Sequence, residues 1–217
     1  MFGGSFNPIH LGHLLAAADV CEALALDEVL FVPAGAPPHK PATDMAPAPD
    51  RFEMTRLAVA AHPRFSLCEL EMSRSGPSYT ADTLRALAER GGELHLLIGS
   101  ETFLDLPRWR APREVASLAR LVVVPRAGGG FDPRGSAAQA VLDELDLAPF
   151  TRDASGPARA PVLVDAASLP ISGSDLRQRV REGRSLAYRM PDAVIGYIRR
   201  QGLYQAPAPA PAAPETR

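Results

Sequence analysis

The chain has 217 residues, 46% of them hydrophobic and 22% charged, with a formal net charge of -2. That length supports one sizeable core, and that charge excludes a polycationic nucleic-acid binder, so any anion binding must be local. No run of eighteen apolar residues occurs and no basic segment leads into an apolar stretch at the N-terminus, which argues against a membrane span or signal peptide and makes the cytoplasm the default location.

Elements in chain order begin with GGSFNPIHLGH over residues 3–13. Here Gly3 and Gly4 remove Cβ atoms where a charged ligand would approach, with Ser5 in the adjoining turn, and the helical pattern that follows offers a positive dipole end. A first strand is expected before Gly3, where the chain supplies only Met1 and Phe2; a start misplaced from an upstream position explains this better than a truncated strand. With a helix beginning near Pro8 or Ile9, His10 and His13 project from one face of its first turn. Gly12 between them costs about 1 kcal/mol relative to alanine, so something large must pass close to the backbone there.

Further along, the apolar runs at 28–34, 65–72, 93–99 and 121–125 read as strands. They alternate with helical patterns, and that order predicts a doubly wound parallel α/β sheet with helices on both faces. Asp50 and Glu53 suggest a capping box, Thr80 precedes a helix that stops at Gly91 and Gly92, and Pro112 opens another. Helical patterns near 136–145, 174–182 and 191–201 follow, the last closed by Gly202. Cys21 and Cys68 are isolated and apolar in setting, which suits buried packing residues rather than a metal site or disulfide framework. Residues 1–205 are expected to form one domain, and the Pro/Ala-rich 206–217 an extended, poorly ordered tail.

The opening motif resembles the HxGH nucleotidyltransferases, and its form is similar to the GGTFDPIHxGH opening of bacterial nicotinate-nucleotide adenylyltransferases. That family has a Rossmann-like fold and joins the AMP half of ATP to nicotinate mononucleotide, releasing pyrophosphate. The resemblance implies ATP contacts from Gly3, Gly4, Ser5, His10, Gly12 and His13. PPHK at 37–40 resembles the family's basic loop and assigns Lys40, the chain's only lysine, to catalysis and substrate binding. ISGSDLR at 171–177 resembles ISSTxIR, implying phosphate contacts from Ile171, Ser172, Ser174 and the catalytic Arg177, with Gly173 in place of a serine expected to loosen the turn.

PSYTADTL and GSETFLDLPRW resemble the segments for the pyridine substrate. They imply backbone groups of Tyr79 and Thr80 near its carboxylate, Trp109 stacked on its ring, and Glu101 where the family more often has Asp. Arg126, at the end of a strand, is assigned to phosphate. Magnesium would come with the triphosphate, because it dehydrates reluctantly, rather than in a protein cage. Two alternatives remain: another HxGH adenylyl- or cytidylyltransferase, such as one acting on phosphopantetheine, and a nucleotide-binding sensor without turnover.

Overall fold

The computed structural model describes residues 1–38, 44–126, 128–153 and 155–205. Lys40 and the tail at 206–217 lie outside the described residues.

Six parallel strands carry the architecture. β1 (Phe2–Gly4), β2 (Val29–Pro33) and β3 (Phe65–Leu67) pair in the order β1-β2-β3, and β4 (His95–Gly99), β5 (Arg120–Val124) and β6 (Val162–Leu163) in the order β4-β5-β6. Met1 joins the two halves: its amine donates to the His95 carbonyl at 2.7 Å and its own carbonyl accepts from Leu97 N–H at 3.0 Å. The strand order across the molecule is therefore 3-2-1-4-5-6, the doubly wound arrangement in which ligands bind beyond the strand C-termini at the reversal between β1 and β4.

The strand residues sort cleanly onto two faces. Val29 and Phe31 pack with α1 (Leu11–Ala23), α2 (Ala48–Val59), α7 (Gly173–Arg181) and α8 (Asp192–Arg200), and Leu97, Val122 and Val162 meet Val20 of α1 and its C-cap Leu24. Val32 meets Leu87 of α3 (Thr80–Ala88). Leu96, Ile98, Leu121 and Val123 pack with α3, α4 (Ser100–Asp105), α5 (Pro112–Leu118) and α6 (Ser136–Glu144). Period-two alternation in β4 and β5 thus feeds both helical layers. Both cysteines are buried and unpaired by disulfide.

Several local expectations are corrected. β1 includes both glycines, because Gly3 and Gly4 pair with Val32 and Pro33 of β2 rather than forming a turn. The tight turn comes later, with Phe6 at φ 42° and a cis peptide between Asn7 and Pro8. β3 stops at Leu67, and residues 68–72 leave the sheet after Cys68 N–H donates to the Phe31 carbonyl. α2 has no capping box: Pro47 is its N-cap, Asp50 accepts from the Tyr197 hydroxyl, and Glu53 pairs with Arg56. β6, only two residues long, had no expectation attached to it; its partner strand supplies the alignment that so short a run cannot signal alone.

Candidate active site

A cavity of about 720 Å³ opens beyond the C-terminal ends of β1, β4 and β5. His10 and His13 meet there. His10 is the extended N-cap of α1, and its ring stacks on that of His13 with centroids 3.7 Å apart and planes inclined by 26°. The His10 amide donates to His13 Nδ1 at 3.2 Å, so the neutral His13 ring carries its proton on Nε2. Phe6 stands edge-on to His13 at 5.3 Å, which limits the ring's rotation.

His10 is 7% exposed, and its Nδ1 is buried without a hydrogen-bond partner. Burial, and secondarily the charge of Arg126, lower its pKa to about 4, so the ring is neutral at pH 7. A polyanion in the cavity reverses that bias by favouring the protonated ring. The large neighbour of Gly12 is this same imidazole: a Cβ at Gly12 would lie 3.1 Å from His10 Nδ1. The motif's central glycine therefore makes room for its first histidine.

Arg177 reaches the opposite wall from α7. Its Nη1 donates to the Asn7 carbonyl at 2.8 Å, and Nε and Nη2 donate to Asp44 Oδ2 at 3.1 and 2.5 Å. Arg181 also pairs with Asp44. Together these arginines hold the Asp44 carboxyl below the usual carboxylate range, with the Arg177 hydrogen bond the larger cause. A phosphate approaching that edge of Arg177 must exchange with Asp44. At the start of α7, Ser172 Oγ accepts from Asp175 N–H at 3.1 Å and lies 3.0 Å from Ser174 Oγ. Gly173 does not loosen this turn: a Cβ there would lie 2.8 Å from the Asn7 carbonyl oxygen, so glycine permits the close approach.

Asn7 and Arg51 order the floor. Asn7 Oδ1 accepts from the Ala46 amide at 3.0 Å and the Tyr204 hydroxyl at 2.8 Å, while Nδ2 donates to the Asp44 carbonyl at 2.9 Å. An aspartate, as in the motif this chain resembles, could not make that last donation when ionised. Arg51 is 1% exposed and donates to the carbonyls of Ala46 (3.0 Å), Ser5 (2.8 Å), Ala34 (2.6 Å) and Gly35 (2.9 Å). Sequence reasoning missed both roles, since an arginine within a helical pattern reads as a solvated side chain.

Of the residues singled out in the sequence, the cavity brings together Gly3, Gly4, Ser5, His10, Gly12, His13, Glu101, Trp109, Arg126, Ile171, Ser174 and Arg177. Ser172, Tyr79 and Thr80 are not in its lining. Glu101 pairs with Arg126 at 3.3 Å, and half-buried Trp109 packs against the core of the β4–β6 half. Tyr79 is the N-cap of α3, with the Arg110 guanidinium 4.6 Å above its ring, and Thr80 is the first helical residue. Among the described residues no three His, Cys, Asp or Glu side chains converge as a metal site.

The cytidylyltransferase-like family model matches residues 1–179. A relative from Roseiflexus sp. (strain RS-1), named "Probable nicotinate-nucleotide adenylyltransferase", is 43% identical over 206 residues, covering 94% of this chain and 96% of its own length. The chain belongs to the nicotinate-nucleotide adenylyltransferase family. A Thermus thermophilus member with the same name is 42% identical over 207 residues, covering 94% of this chain and 98% of its own. The solved structure of Plasmodium falciparum nicotinic acid mononucleotide adenylyltransferase complexed with NaAD superposes with a TM-score of 0.72 at 18% identity, covering 94% of this chain and 95% of that one. The family's Rossmann-like fold thus extends to this adenylyltransferase-family chain despite the low identity.

Proposed function

We propose that residues 1–205 form a catalytic domain that transfers AMP from ATP to nicotinate mononucleotide, giving deamido-NAD and pyrophosphate. The observation that carries this reading is the stacked His10–His13 pair, with an unpartnered buried ring nitrogen, in the same cavity as Arg126 and Arg177. Adenylyl transfer needs no protein nucleophile. An oxygen of the mononucleotide phosphate attacks the α-phosphorus of ATP, the new P–O bond forms as the α–β bridging bond breaks, and pyrophosphate leaves with the electron pair. Catalysis is then alignment and neutralisation of charge.

In this reading His10 and His13 meet the phosphates undergoing transfer, and Arg177 and Arg126 hold the outer phosphates, with Gly3, Gly4, Ser5, Gly12, Ile171, Ser172 and Ser174 forming the ATP side. Lys40 adds a mobile positive charge. Trp109 stacks on the pyridine ring, Glu101 borders the acceptor side, and backbone groups of Tyr79 and Thr80 face the carboxylate. Magnesium enters as part of the ATP substrate. The reaction belongs to cytoplasmic metabolism; among the described residues no helix is long and apolar enough to cross a membrane.

Pyrophosphate release from ATP and magnesium, measured with nicotinate mononucleotide, nicotinamide mononucleotide and phosphopantetheine in parallel, tests the proposal. Selective turnover with nicotinate mononucleotide is expected. Turnover with phosphopantetheine alone would reassign the substrate, and ATP binding without turnover on any acceptor would make the chain a sensor.

A further inference from the structure

Glu71 is a buried carboxylate for which the reaction itself has no use. It is 5% exposed, in the segment between β3 and α3, and a buried carboxylate is costly unless its oxygens are paired. The Thr83 hydroxyl donates to Oε1 at 2.7 Å, and the Ser78 hydroxyl also bonds to the carboxylate. Each hydroxyl in turn accepts from an N–H. Arg74 Nη1 donates to Thr83 Oγ1 at 3.2 Å, and the Ala36 amide donates to Ser78 Oγ at 3.2 Å. Accepting those N–H groups leaves each hydroxyl its own proton to donate; for Thr83 the Glu71 oxygen at 2.7 Å is nearer than the alternative, the Tyr79 carbonyl at 3.4 Å.

The groups collected in this way join the N-terminus of α3, which lies outside the cavity lining, to the loop after β2, which borders the cavity. Ser78 immediately precedes Tyr79, the N-cap of α3, and Thr83 lies in the first turn of that helix. Ala36 belongs to the loop after β2, between Ala34 and Pro37, both of which line the cavity. Ser78 N–H closes the link by donating to the Ala36 carbonyl at 2.9 Å. The Glu71 backbone also packs against this loop: a Cβ on Gly35 would lie 2.2 Å from the Glu71 carbonyl oxygen. Arg51 holds the same loop from its other side, through the carbonyls of Ala34 and Gly35.

We propose that Glu71 is a positioning residue for the acceptor: through Ser78 and Thr83 it fixes the Tyr79–Thr80 turn against the Ala34–Pro37 loop and so sets affinity and selectivity for the pyridine mononucleotide. This rests on the reading that the Tyr79–Thr80 turn meets the pyridine carboxylate. Neither the histidine pair nor Arg177, to which the same reading assigns ATP, is among the hydrogen-bond partners of Glu71.

The test is steady-state kinetics of Glu71→Gln and Ser78→Ala, with ATP and each of nicotinate and nicotinamide mononucleotide. Glutamine keeps the volume but removes the charge and replaces one acceptor oxygen with a donor, which weakens the hold on the two hydroxyls. The expected result is a KM for nicotinate mononucleotide raised about tenfold in Glu71→Gln, with the KM for ATP and kcat within about twofold, and a smaller preference for nicotinate over nicotinamide. Ser78→Ala, which leaves Glu71 paired with Thr83, should shift the same constants in the same direction by less, and it decides the matter if Glu71→Gln fails to fold.

Equal rises in both KM values, or a lowered Tm with unchanged KM values, would overturn the role of Glu71 and leave a purely structural carboxylate. A wild-type enzyme that does not distinguish nicotinate from nicotinamide would overturn the assignment of the turn itself, and the proposal with it. Wild-type selectivity retained in full by both variants would overturn the positioning role alone.

Discussion

Each half of the sheet buries one arginine among backbone carbonyls, and the two differ in which end of the strands they secure. Arg51 gathers Ser5, Ala34, Gly35 and Ala46 beyond the C-terminal ends of β1 and β2, at the rim of the cavity. Arg120, 8% exposed at the first residue of β5, donates to the carbonyls of Ala160, Gly156, Asp153 and Pro157 at the opposite edge. A guanidinium with five fixed donors can satisfy several carbonyls that no regular ladder reaches. The device is the same, but in a doubly wound fold only the C-terminal edge carries the site, so only one of the two arginines can shape catalysis.

The largest test of this contrast is replacement of each arginine by methionine. Arg51→Met and Arg120→Met should each lower stability by about 2–4 kcal/mol, because both strand buried carbonyls without donors. Only Arg51→Met should also depress kcat/KM well below the melting transition; denaturant unfolding beside kinetics at low temperature separates the two, and equal kinetic losses would erase the comparison.

Next in size, His13→Ala should lower kcat by about 10²–10³-fold with Tm nearly unchanged, the cost typical of a lost charge-stabilising donor. Trp109→Ala should raise the KM for the mononucleotide by about three- to tenfold, as expected for a lost stacking contact, while the KM for ATP holds. An effect confined to ATP would contradict its placement on the acceptor side. Smallest, Asp44→Asn should lower the KM for ATP by about threefold, since an exposed carboxylate competing for Arg177 is worth little. A raised KM would mean that Asp44 orients the guanidinium rather than competing for it.

Acid should weaken both halves, since burial lowers the pKa of His95 at the start of β4 as well as that of His10. His10 takes up a proton near pH 6.5 when unfolded but only near pH 4 when folded, so its contribution is complete above pH 6.5 and is lost as pH falls toward 4. His10→Gln should flatten that part of the stability profile, as followed by thermal unfolding across pH 4–7.

The alternation of apolar runs with helical patterns and the three-residue spacing of His10 and His13 were legible because each depends on local periodicity or on a single turn. The doubly wound class followed from the same kind of signal, whereas the role of the Arg177 segment was implied only by its resemblance to ISSTxIR. What the periodicity could not reveal was which polar residues are buried. Arg51 sits in a mixed helical stretch and Glu71 in a run that reads as a strand, and their partners lie elsewhere in the chain: Ser5 and Ala34 for one, Ser78 and Thr83 for the other.

The sequence by itself therefore determined the layers, the strand alternation and the pair of histidines at the first helix, because these are set by neighbours within a few residues. Only the tertiary structure decided that Gly12 accommodates the His10 ring, that Gly173 lets α7 approach Asn7, and that Asp44 occupies an edge of Arg177. Those outcomes depend on desolvation and close packing between segments as far apart in the chain as Asn7 and Arg177, and no local pattern encodes that distance.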